Sequence, residues 1–98
     1  MDDKNIQLIT EGSHTTVKLG GSLTLPNAGN IKKALDQAIK SSSSISVETV
    51  DVEDADLSFC QIVISLKEYC KKHSINLVTK IELPSDVKSL LSKADLKF

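Results

Sequence analysis

Phe59, Ile62, Val63, Leu66 and Cys70 recur at helical spacing, while Lys67, Lys71 and Lys72 fall outside their stripe. A segment of this kind is a helix with one apolar side, and that side has to be covered by a second layer. Cys60 and Ile64 widen the apolar sector beyond what one sheet face usually needs, so the helix is also expected to offer apolar surface to a partner. An earlier helix opens at Leu25-Pro26-Asn27, where Pro suits the first turn. Ala28, Ile31, Leu35, Ala38 and Ile39 repeat along it, with Lys32, Lys33, Asp36 and Lys40 turned away. The run Ser41 to Ser44 ends it, as a loop into the next element.

Short alternating runs supply the layer these helices cover. Ile6 to Thr10 and Thr15 to Leu19 read as two antiparallel strands joined by the hairpin loop Glu11-Gly12-Ser13-His14, which leaves His14 as a solvent-facing turn residue. Gly20-Gly21-Ser22 matches neither GxGxxG nor a phosphate loop ending in Gly-Lys-Ser/Thr, and reads as a bulge or bend. Ile45 to Val50 alternates with period two, with Glu48 at a partly buried or edge position, and Ser74 to Thr79 forms the next strand. Ser85-Asp86 caps a final helix carrying Val87, Leu90 and Leu91, while Leu96 and Phe98 close the core. The predicted order is β-β-α-β-α-β-α. This is an α/β fold, an α+β sandwich with a mixed sheet of about four strands whose right-handed crossovers put the helices largely on one face.

Size and charge narrow the function. Ninety-eight residues suffice for one domain, 1–98, built on a single core. Apolar residues reach 40% but aromatic ones only 3%, so the core is aliphatic and little surface remains for stacking bases. Twelve Lys, no Arg and thirteen acids give a net charge of -1, which argues against nucleic acid as a partner and against an anionic membrane. No window is long and apolar enough for a membrane span, and the N-terminus lacks a leader pattern, so a cytoplasmic protein is expected. Cys60 and Cys70 lie about 15 Å apart along one helix, too far to be bridged. With two scattered histidines, His14 and His73, and no CxxC spacing, neither a zinc site nor any other cofactor is expected.

The segment Val50-Asp51-Val52-Glu53-Asp54-Ala55-Asp56 gathers four carboxylates immediately before the apolar helix. A calcium loop needs oxygen ligands at alternating positions and a central Gly; Asp51 and Glu53 fit, but Ala55 breaks the series and no Gly follows. A receiver-type phosphoacceptor needs acids at the ends of two strands, whereas Asp2 and Asp3 precede the first strand. Asp56, or failing that Ser58, is placed to cap the helix and to complement its dipole. Asp51, Glu53 and Asp54 are left as a solvated loop or a recognition surface at the carboxyl end of a strand, where α/β folds meet their partners.

These residues resemble the STAS domain, the sulfate transporter and anti-sigma factor antagonist family, in which an acid-bearing strand and a loop lead to Asp-Ser-Ser-Gly or Asp-Thr-Ala-Gly at the start of an apolar helix. Val47-Glu48-Thr49-Val50 resembles that strand, Asp56 the motif's Asp, Leu57 its first hydroxyl position, Ser58 its second and Phe59 its Gly. Gln61 to Leu66 resembles the family's helix, Gly21-Ser22-Leu23-Thr24-Leu25 the segment before its first helix, and Ile75 to Val78 with Pro84 to Leu91 its closing strand and helix. The resemblance implies a noncatalytic interaction module of bacterial signal transduction. Its partner would be an anti-sigma factor kinase or, since Leu-Ser-Phe resembles a chemotaxis-associated subset, a chemotaxis component. Asp54, Asp56, Leu57, Ser58 and Phe59 would form the docking surface, with Leu57 and Phe59 giving apolar contact. In the family a kinase phosphorylates the first hydroxyl; Leu57 has none, and Ser58 is the remaining candidate for phosphorylation. The alternatives are a phosphoacceptor, or a ligand-handling subunit of a transport assembly.

Overall fold

The chain first runs out along β1 (Ile6–Glu11) and returns along β2 (His14–Leu23), paired antiparallel from Ile6 with Leu19 to Glu11 with His14. Gly12, at φ +61°, takes the first position of the two-residue turn, a conformation that hairpin turns reserve for glycine. This computed structural model describes residues 6–85, 88 and 89. The helix α1 (Leu25–Ser41) then carries the chain to β3 (Ser44–Ala55), and α2 (Leu57–Lys72) carries it to β4 (Asn76–Lys80). Both crossovers return to parallel pairings, so the sheet order is β1-β2-β3-β4. The mixed four-strand sheet matches the expected class. Ser85, Lys88 and Ser89 are helical and the Lys88 N–H donates to the Pro84 carbonyl; Val87, Leu90, Leu91, Leu96 and Phe98, expected in the last helix and core, lie outside the described residues.

Alternation along the strands decides which face is covered. Val17 and Leu19 on β2 stand opposite Val47 and Thr49 on β3, and the helices bury this face. They contribute Ile31, Ala34, Leu35 and Ala38 from α1, and Phe59, Cys60, Val63, Leu66 and Cys70 from α2. The other face is open, with Lys18, Glu48 and Lys80 in one cross-strand row and Ile9, Val50 and Val78 exposed among its polar residues. His14 belongs to this face. Expected as a solvent-facing turn residue, it instead begins β2, half-buried, with Nδ1 2.8 Å from Ser44 Oγ and Nε2 3.0 Å from Ser46 Oγ. The partner strand supplies two hydroxyls that hold the ring against the sheet.

The glycine pair marks where β2 and β3 fall out of step. Gly20 lies against β3 so closely that a Cβ there would stand 2.2 Å from the Val50 carbonyl oxygen. Beyond it the register shifts twice: Gly21 pairs with Val52 and Ser22 with Asp54, so Asp51 and Glu53 are extra residues on the β3 side. Asp51 takes φ +51° to permit this. The bulge is as expected, but the strand does not end at Val50. It continues to Ala55, so the acidic segment is the bulged end of β3 and not a loop.

After β4 a side chain replaces the ladder. Thr49 Oγ1 accepts from the Glu82 N–H at 2.8 Å and donates to the Glu82 carbonyl at 3.1 Å, steering the chain so that Leu83 is buried in the core.

The thiols of Cys60 and Cys70 are free and buried within α2. Burial pushes both above the usual thiol range, and the nearby Asp56 carboxylate raises Cys60 further. Iodoacetamide at mildly alkaline pH should therefore leave the native protein unmodified and add two labels in urea, as read by intact mass. Native labelling at the rate of a free thiol would contradict this packing.

Candidate functional site

Strand β3 delivers its chain end to the point where both helices begin. Asp56 is extended and serves as the N-cap of α2, its Oδ1 accepting from the Ser58 N–H at 3.0 Å and from the Ser58 hydroxyl. Its other oxygen, Oδ2, accepts from the Leu25 N–H at 2.9 Å. That donor opens α1, whose own N-cap residue, Thr24, makes no side-chain cap. A single carboxylate thus caps two helices, one of them 31 residues away in sequence. The neighbouring backbone is fixed too: the Asp56 N–H donates to the Leu23 carbonyl at 3.2 Å, and Asn27 Nδ2 to the Ser22 carbonyl at 2.8 Å.

Burial alone would raise the pKa of Asp56. The hydrogen bonds from the Ser58 hydroxyl and from the Leu25, Ser58 and Phe59 N–H groups prevail and hold the carboxyl below its usual range. It is therefore an ionised scaffold acid at neutral pH.

Two exposed leucines stand beside this cap. Leu57 follows Asp56 and is 46% exposed; Leu25, whose N–H Asp56 holds, is 69% exposed. Because one carboxylate ties both backbones, the two leucines flank it on a common rim. Asp54 is exposed beside them, its Oδ1 accepting from the Ala55 N–H at 2.9 Å. Ser58 is half-buried.

From this rim a groove runs between the helices. It has a volume of about 520 Å³ and is lined by apolar side chains that include Leu35, Ile39, Ile62 and Leu66. Ala28, Gly29 and Ser58 stand at its rim end, and Lys40 and Tyr69 at the other. Among the described residues, no three His, Cys, Asp or Glu side chains come together as a metal site would require, and no helix is long and apolar enough to cross a membrane.

The family model described as "Mlab, STAS domain" matches residues 6–97. The chain belongs to the STAS family. Solved structures agree in fold. The STAS chain superposes on the anti-sigma factor antagonist SpoIIAA in its unphosphorylated form with a TM-score of 0.68 at 16% identity, covering 86% of this chain and 79% of that one. The phosphorylated form of the Bacillus cell fate determinant SpoIIAA gives 0.70 at 14% identity, covering 91% and 82%. A crystal structure of Mglu gives 0.67 at 12% identity over 78% of this chain, but only 19% of that much longer one. At these identities the likeness is one of fold. No curated protein sequence matches.

Within the STAS fold the expected docking residues separate. Asp54 and Leu57 are exposed, Asp56 and Ser58 are engaged with each other and with the helix caps, and Phe59 has to be corrected: it is 0% exposed and sits in the core. Its place in the motif suggested surface, but its place in the stripe of α2 turns it inward. Cys60 needs the same correction, being wholly buried instead of widening an outer surface. Leu25 was missed. Nothing in the sequence links it to Asp56, although an apolar residue just before a helix-opening Pro had no place in the α1 stripe.

Proposed function

We infer that this STAS domain is a noncatalytic interaction module of bacterial signal transduction that docks a protein partner through the rim formed by Leu25, Asp54, Asp56, Leu57 and Ser58. The observation that carries the reading is the pair of exposed leucines held on either side of a carboxylate whose geometry is already fixed. A partner that covers them buries what is still exposed of two aliphatic side chains, about 1 kcal/mol for Leu57 and about 1 to 2 kcal/mol for Leu25, and little ordering entropy is lost because the backbone is pinned at both helix starts. Asp54 sets charge and orientation at the edge.

The partner is an anti-sigma factor kinase or a chemotaxis component. Leu57 offers no hydroxyl to a kinase, so control by phosphate at that position is closed to this chain. A phosphate on Ser58 would displace the hydroxyl's bond to Asp56 and set two more negative charges beside it, which makes Ser58 a site whose modification disturbs the scaffold as well as the surface.

Leu57→Asp should leave the melting temperature within a degree or two, as expected for an exposed position. In pull-downs it should lower recovery of the partner by tenfold or more, and Leu25→Asp should act in the same direction. Equal recovery of every protein by wild type and Leu57→Asp would remove this surface from consideration.

A further inference from the structure

We propose that the groove between α1 and α2 seats an amphipathic helix of the partner protein, about three turns long, with acidic residues where it meets Lys32 and Lys40. This rests on the docking reading above and extends it from the rim along the helices. The helices flank the groove from Ala28 to Lys40 and from Ser58 to Tyr69, about 17 Å at the usual helical rise. That length matches an occupant of about eleven residues presenting apolar side chains at i, i+3, i+4 and i+7.

Charge selects the occupant. On the α1 lip Lys32, Asp36 and Lys40 follow one another at four-residue steps, so the lip reads plus, minus, plus, one turn apart. The α2 lip, with Ser58, Gln61, Ser65 and Tyr69, carries no charge. A helix with acids at i and i+8 and a Lys or Arg at i+4 answers that pattern. A second copy of this chain does not: antiparallel pairing of α1 about a two-fold axis would set Lys32 against Lys40 and Asp36 against Asp36.

A glycine gives independent support. Gly29 lies within α1, on the groove and exposed; a Cβ there would meet nothing within 4 Å, and its φ is ordinary. Glycine weakens a helix relative to alanine, and here the fold gains nothing from it. A bare Cα at the lip lets another backbone approach closely. Gly29 thus leaves the lip open to the occupant at no packing benefit to the domain.

The test places the photocrosslinker p-benzoylphenylalanine at Ser65 in the groove, and separately at Leu57 on the rim, in the full chain expressed in its own cells. The expected result is a protein adduct from both positions, with the Ser65 adduct mapping by mass spectrometry to an amphipathic segment that bears acids eight residues apart. Adding Gly29→Leu should lower the Ser65 adduct at least tenfold while the melting temperature stays the same or rises. An adduct at Leu57 but none at Ser65 would overturn the groove proposal and leave the rim standing. So would a Ser65 adduct to lipid, to another copy of this chain, or to a partner's strand or loop, or one indifferent to Gly29→Leu. No adduct from either position would overturn both readings.

Discussion

Gly20→Ala is expected to lower stability by about 3 kcal/mol and the melting temperature by about 15 °C. The added methyl would lie 2.2 Å from the Val50 carbonyl oxygen, and the obstacle is backbone, not the end of a flexible side chain. Either β2 and β3 move apart at the centre of the sheet, or the bulge that follows is rebuilt. Both changes reach the core through Leu19 and Leu23, which flank the glycine pair and are buried. Gly29→Ala is the matched control: the same atom enters open space in a helix, and stability should rise by about 0.5 to 1 kcal/mol. Denaturant unfolding of the two variants reads the contrast directly. A Gly20→Ala midpoint equal to wild type would mean that the two central strands are not in the contact described.

The second large effect belongs to Asp56. Replacing it with alanine removes the caps of both helices, at about 1 kcal/mol each, so a loss of about 2 kcal/mol is expected. Asp56→Asn keeps one acceptor oxygen and should lose about half as much. The effect must also depend on pH. The folded carboxyl is held below its ordinary value of 3.8, so the unfolded chain takes up the proton first as pH falls. The stabilisation is complete above that ordinary value and fades as pH drops through the lower folded one. Melting curves of wild type and Asp56→Ala should therefore run parallel from neutral pH to about pH 5 and converge below about pH 4. A constant gap down to strongly acidic pH would show that the carboxylate's charge is not what holds the helices.

Period and punctuation made most of the architecture legible. The hairpin around Gly12, the helix opening at Pro26 and the stripe of α2 all follow from local rules, and each is present in the structure. What escaped is what depends on a neighbour. The end of β3 was hidden because two bulged residues, Asp51 and Glu53, destroy the period-two pattern, and only the glycines on β2 make room for them. His14 was misplaced because its partners, Ser44 and Ser46, arrive from a strand 30 residues later.

The site shows the same division. Capping of α2 by Asp56 could be read locally, whereas capping of α1 is a contact between residues 31 apart and left no trace. Phe59 carried two conflicting signals, a motif position that faces outward and a helical stripe that faces inward. Packing decided between them. Ala28, Ile39 and Ile62 were counted with the core stripes, yet they are half-buried on the shoulders of the two helices and line the groove.

The double duty of Asp56 changes what an aspartate at that place can signify. Because the architecture itself calls for an acceptor between two helix starts, a chain could abandon signalling entirely and still be obliged to keep the acid. The leucines beside it are under no such obligation, since their side chains cap no helix and lie largely in the open. Recognition can therefore be rewritten one side chain at a time around a fixed post, and differences at positions 25 and 57 should say more about whom such a domain meets than the acid they surround.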